Sequence, residues 1–204
     1  MRTRDTSDTR AKILDIARDL FVSQGYVGTS IADIASRLGA TKGALYYHFA
    51  SKEAVLDALV AEPAAELARI AERATREPGV RPAELLGALI DLQARHPAAY
   101  LAVCSGDTSN LQEYSQRHRI GERIEQITRA LAGPSPGLAR LIRARVAMAV
   151  IKDGTTMARE LGNGRLTEDV RAEILDAALG ALGALGDTAS APVVGAHQAT
   201  STSA

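Results

Sequence analysis

Apolar residues recur along this chain at intervals of three and four almost throughout. That is the period of amphipathic α-helices; the strict alternation of a half-buried strand is nowhere sustained. The first stripe is Ile13, Ile16, Ala17, Leu20 and Phe21. Asp8 or Thr9 can cap this helix, and Gly25 stops it after Gln24. Ile31, Ile34, Ala35 and Leu38 form a second, two-turn stripe that begins at Thr29-Ser30 and ends at Gly39. Thr41 can cap a third, short helix whose inward residues are Leu45 and Phe49. Ser51 opens a fourth, longer helix through Val55, Leu56, Leu59 and Val60, with Leu67 and Ile70 beyond Pro63. Proline lacks an amide hydrogen, so Pro63 either kinks this helix or starts a new one.

The later chain continues in the same way. Pro78-Gly79 and Pro82 mark a break. A helix over 83–95 has a wide apolar side, and His96-Pro97 ends it. A short helix over 98–104, a loop over 105–110 and a long helix over 111–132 follow. The run 133–137, GPSPG, is the plainest turn. Helices over 138–161 and 168–185 come last, with small residues such as Gly180, Ala181, Gly183 and Ala184 that let helices approach closely. The pattern therefore predicts an all-α protein. An N-terminal three-helix unit is followed by a C-terminal helical bundle. The expected division is a polar arm over 1–8, a helix-turn-helix domain over 9–55, a helical body over 56–186 and a disordered tail over 187–204.

The second and third helices, joined by a tight turn, have the geometry that offers a short helix to the major groove of DNA. Thr41, Lys42, Gly43 and Ala44 stand at the N-terminus of that helix, where base edges are read. Tyr46, Tyr47 and His48 can hydrogen-bond phosphate oxygens. Thr29 and Ser30 supply hydroxyls before the preceding helix. Lys52 puts a cation in a first helical turn, against the helix dipole, and a phosphate in front of it would account for that. Arg2 and Arg4 of the arm can also reach a groove or a phosphate.

The stretch GTSIADIASRLGATKGALYYHFASKEAVLDAL resembles the DNA-binding segment of the tetracycline-repressor (TetR) family of bacterial transcription regulators. The resemblance covers roughly residues 9–60. It rests on the apolar first helix, Gly25-Tyr26, Thr29-Ser30, Ile34-Ala35, Leu38-Gly39, Lys42-Gly43, the run 45–49 and Lys52-Glu53. Beyond Leu59 it is one of architecture only. It implies a homodimer that binds a palindromic operator and pairs through its last two helices. It also implies a repressor released by a small-molecule effector held in the body. The alternatives are an activator, or a ligand-independent regulator whose bundle is a protein-interaction module. A helical enzyme or carrier with a vestigial head is a third.

Composition changes this picture only slightly. A 204-residue chain with 46% hydrophobic and 24% charged residues suits a globular protein of one or two domains. No run approaches a membrane span and the N-terminus lacks an apolar signal core, so a cytoplasmic home is expected. The zero net charge conceals an asymmetry. Residues 1–52 carry eight basic side chains against five acidic ones, a net of +3, which leaves −3 for the remainder. A basic head on an acidic body suits a protein that presents one end to DNA.

No catalytic or metal constellation emerges, and neither an enzymatic role nor a cofactor is expected. Cys104 is the single cysteine. The glycines of 162–165 and 180–186 follow no strand, so neither reads as a phosphate loop. For the implied effector the aromatic distribution matters. Phe21, Tyr26, Tyr46, Tyr47 and Phe49 all belong to the head, leaving Tyr100 and Tyr114 for the body. An aromatic cage around a flat cation is therefore disfavoured. An aliphatic pocket with Met148 or Met157, Tyr100 or Tyr114 and Asn110 or Asp153 fits better.

Overall fold

A computed structural model of the protein describes residues 2–77, 79–96 and 115–183, with side chains from Asp8 onward. The described residues form helices and no strand. The elements are α1 (Arg2–Gly28), α2 (Ile31–Leu38), α3 (Lys42–His48), α4 (Lys52–Arg76), α5 (Pro82–Arg95), α6 (Ile120–Ala132), α7 (Leu138–Leu161) and α8 (Glu168–Gly183).

The head packs as its stripes require. Ile13, Ala17, Leu20 and Phe21 of α1 meet Ile34 and Ala35 of α2, Leu45 of α3 and Phe49, and all are buried. Val55 and Leu56 close this core from α4. Gly25 breaks the helical geometry inside α1 with φ 76° and ψ 162°, at the position expected for the stop. At the other end α1 reaches back to Arg2, through the segment expected to be an arm. Residues 2–8 hold neither glycine nor proline, and extending an existing helix adds one hydrogen bond per residue fixed.

α4 runs unbroken from Lys52 to Arg76 with Pro63 buried inside it, so Pro63 does not start a separate helix. Its first half completes the head. Its second half, with Leu67, Ile70 and Ala71, enters the body beside α5 and α6. The two parts therefore share one helix and one continuous apolar core. Arg123 of α6 donates to the Ala64 carbonyl of α4 at 2.7 Å.

The helix expected over 111–132 is interrupted. Arg119 takes a left-handed conformation (φ 51°, ψ 35°), and α6 begins after it. Its amide donates to the Gln116 carbonyl (3.0 Å) while its own carbonyl accepts from the Arg123 amide (3.1 Å). One turn thus ends and another begins at this residue, which an apolar repeat running across it does not reveal. The expected helix over 98–104, the loop over 105–110 and the tail over 187–204 lie outside the described residues.

α7 and α8 lie along each other, and both touch α5. Gly154 makes room for Ile174, whose side-chain carbons would stand 3.4–3.5 Å from a Cβ there. Arg171 of α8 forks onto Asp91 of α5 at 2.6 and 2.9 Å. Residues 162–165 form the turn between α7 and α8, with Asn163 and Gly164 at positive φ. On α7, Ala144, Ala147, Ile151 and Thr155 are buried. Leu138, Ile142, Val146, Met157 and Leu161 on its other side are exposed.

Candidate nucleic-acid interface

The helix pair at the head is built by reciprocal capping. Ser30 Oγ accepts from the Asp33 amide (3.2 Å), and Asp33 Oδ2 accepts from the Ser30 amide (2.8 Å). The Ser30 hydroxyl and amide, with a small contribution from Lys42, hold the Asp33 carboxyl below its usual range. Gly39 closes α2 in the left-handed region (φ 72°), where a Cβ would be strained. Thr41 Oγ1 then accepts from the Ala44 amide (3.2 Å) and opens α3.

Leu45 is the one buried residue of α3. Thr41, Lys42, Gly43, Ala44, Tyr46 and Tyr47 are all exposed, Tyr46 by 51% and Tyr47 by 80%, and His48 is half-buried. Tyr47 and His48 stack edge to face with centroids 5.3 Å apart. A short helix held by a single buried leucine, with two large aromatics pointing into solvent, is not arranged to stabilise a core. Its outer face carries donors, a cation and small residues that let a backbone approach.

Thr29 and Lys52 are engaged differently from the rest. Thr29 is buried, and its hydroxyl donates to the Gly25 carbonyl (2.9 Å) rather than capping α2. Lys52 Nζ donates to the carbonyls of Tyr26 (2.8 Å) and Thr29 (2.9 Å) and lies 4.1 Å from the Tyr26 ring centroid. Burial lowers its pKa, and neighbouring Glu53 opposes that shift. The Tyr26 hydroxyl donates to Glu53 Oε1 (3.3 Å), and burial first, Glu53 second, push the phenol upward. The ring also packs edge to face on Phe21. Lys52, Tyr26 and Glu53 thus clamp the turn between α1 and α2 onto α4. Tyr26 and Glu53 were not among the expected site residues, because contacts between positions 26 or 27 apart leave no local spacing to read.

Three of the expected effector residues are described, all on α7. Met148 is half-buried against the core, whereas Asp153 and Met157 are exposed on the outer side of α7. Tyr100, Asn110 and Tyr114 lie outside the described residues. Three polar side-chain atoms, Gln93 Oε1 on α5 and Arg143 Nε and Thr155 Oγ1 on α7, are buried with no hydrogen-bond partner among the described residues. Thr155 could have been found from spacing, since it stands four residues after Ile151 and eight after Ala147 on the buried stripe.

Residues 13–59 match the family described as bacterial regulatory proteins, tetR family. The chain is 41% identical over 58 residues to the HTH-type transcriptional repressor KstR2 of Rhodococcus jostii, covering 28% of each protein. It is 40% identical over 60 residues to the HTH-type transcriptional regulator TtgR of Pseudomonas putida, covering 29% of each. The sequence match thus spans under a third of these relatives' length, at the head. Over the whole fold, the chain is similar to the ketosteroid transcriptional regulator KstR2 of Mycobacterium tuberculosis, with a TM-score of 0.66 at 20% identity, covering 90% of this chain and 95% of that one. A complex of SmeT with triclosan gives 0.58 at 24% identity over 85% of this chain and 91% of that one.

Proposed function

We propose that the chain, whose residues 13–59 match the tetR family of bacterial regulatory proteins, is a sequence-specific repressor of transcription of that family. It binds a palindromic operator as a homodimer and is released by a small-molecule effector. The observation that carries the DNA reading is the outer face of α3, which the fold leaves in solvent while burying only Leu45. In this reading Thr41, Lys42, Gly43 and Ala44 meet base edges. Ser30, Tyr46, Tyr47 and His48 meet phosphates and set the register. Thr29 and Lys52 act from behind, holding the turn that aims α2 and α3.

The partner in this reading is a second copy of the chain. The exposed apolar side chains of α7, joined by Val170 of α8, are what a two-fold four-helix bundle would bury. Between Leu138 and Ala149 they line an open, almost wholly apolar cleft of about 490 Å³. Two heads related in this way enter successive major grooves roughly 34–36 Å apart, or at a multiple of one turn. The unpartnered oxygens of Gln93 and Thr155, on adjoining helices α5 and α7, support an effector that supplies hydrogen bonds inside a mainly aliphatic body.

Titration of duplex fragments from the chain's own promoter region, followed by fluorescence anisotropy at several salt concentrations, tests the proposal. Binding should weaken linearly with the logarithm of salt, and Lys42→Ala should change which fragment is preferred. Equal affinity for all fragments in both proteins would refute sequence-specific reading by α3.

A further inference from the structure

Between head and body lies a cleft of about 350 Å³ that the proposed repressor mechanism does not use. Arg18, Asp19, Val22 and Ser23 of α1 line it, with Arg37 of α2 and Arg159 of the last turn of α7. Three guanidinium groups from three helices therefore border one cavity, against the single carboxylate of Asp19.

Their existing bonds leave much of that charge unanswered. Arg18 pairs with Asp15 at 2.6 Å, a neighbour one turn away. Arg37 reaches Asp19 only at 3.8 Å, too long for a hydrogen bond, and both side chains are more than half exposed. Arg159 has no carboxylate within ion-pair distance among the described residues. Its Nε makes one long bond, 3.4 Å, to the Gly164 carbonyl. Burial alone acts on its pKa, downward, with no anion raising it. Beyond that one weak acceptor, the remaining guanidinium donors of Arg159 are open to solvent or to a ligand in the cleft. Planar forks from several directions suit oxyanions bearing two or more charged groups.

We propose that this cleft is a binding site for a small polyanion carrying at least two carboxylate or phosphate groups, held by Arg159 from the body and by Arg18 and Arg37 from the head. The ligand displaces the loose Arg37–Asp19 contact and forms hydrogen bonds to Arg159. The site spans the junction between the two parts, so an occupant ties the orientation of the head to the end of α7.

Isothermal titration of the full chain with citrate and, separately, with pyrophosphate tests this, with sodium chloride at matched ionic strength as the control. No DNA is present, so the outcome is independent of the repressor reading. Saturable binding beyond the salt control is expected for at least one of the two, and which one binds identifies the ligand as polycarboxylate or phosphate. Arg159→Gln should weaken it about tenfold or more, as loss of a charge-assisted hydrogen bond implies. Arg37→Gln gives a second reading should the first variant fail to fold, as judged by circular dichroism. No heat beyond the salt control, or undiminished affinity in folded variants, would overturn the proposal. So would a loss of operator affinity in Arg159→Gln with no anion effect in the wild type, since the cleft would then be meeting the duplex backbone.

Discussion

Lys52 shows how far one side chain can be from its expected use. Its position in a first helical turn points to an anion outside the protein, yet its ammonium is held by two carbonyls from the α1–α2 turn. Lys52→Ala leaves both carbonyls without that partner, and should lower unfolding stability by roughly 1–3 kcal/mol. Operator affinity should fall with it. Lys42→Ala, in solvent on α3, should leave the thermal midpoint unchanged and alter only DNA binding. Thermal melts beside anisotropy separate these two roles. Tyr47→Phe removes one exposed hydroxyl and, on the same argument, should weaken binding to every duplex without changing the melt.

Titration belongs to the residue scale too. Burial holds His96 and His118 below the ordinary imidazole value, with nearby carboxylates opposing the shift in both. The unfolded chain therefore binds protons at a pH where the folded chain still resists them, and stability falls as pH drops through the ordinary histidine range. The Glu53 carboxyl is held down first by the Ser51 hydroxyl and then by its own backbone amide. Its contribution is lost further down, as pH falls through the carboxylate range. Thermal midpoints measured from neutral pH downward should decline through both ranges, and His96→Gln should flatten the first decline. An unchanged slope in that variant would show that His96 is not the group responsible.

At the scale of elements, spacing located α2, α3, α7 and α8 well because each begins or ends at a residue with a local reason. Ser30 and Thr41 accept from the first turns, and Gly39 takes the backbone a helix stop needs. Ser30→Ala removes one cap of this kind and should cost about 1 kcal/mol. Gly162→Ala should cost more, since a Cβ there would lie 2.6 Å from the Ala158 carbonyl oxygen and 2.7 Å from that of Arg165. Both are read by chemical denaturation. Spacing did not reveal the break at Arg119, because the apolar repeat runs across it. It also left open what Pro63 does within α4, because packing on both sides of a proline, rather than its own propensity, decides whether a helix continues. The capped face of α3 was visible in advance for the same reason that its caps were: every residue involved lies within three or four positions of its partner. The clamp of Tyr26, Lys52 and Glu53 and the cleft of Arg18, Arg37 and Arg159 join residues far apart in sequence, and only the fold brings them together.

At the scale of the whole molecule, the shared helix α4 matters most. It carries buried side chains of both head and body, so the two cannot reorient freely about a loop. In the proposed repressor, a change in the packing of α5 or α6 against its second half would reach the head through this one continuous helix. The apolar side of α7 makes a separate demand. Val146→Glu or Ile142→Glu places a charge on a surface that a second copy is proposed to cover, while touching no buried residue. Each variant should stay helical by circular dichroism, sediment as a monomer and bind duplex far more weakly than the wild type. A dimer that survives both substitutions would place the contact elsewhere.

The most direct test of the account is a mobility shift of genomic duplex fragments by the purified chain at low and moderate ionic strength, with the number of chains per shifted fragment determined. Two chains per duplex, saturable binding to particular fragments and a loss of that binding with rising salt are the expected result. A chain that leaves every fragment unshifted even at low salt would contradict the reading of α3 as a helix that enters the groove.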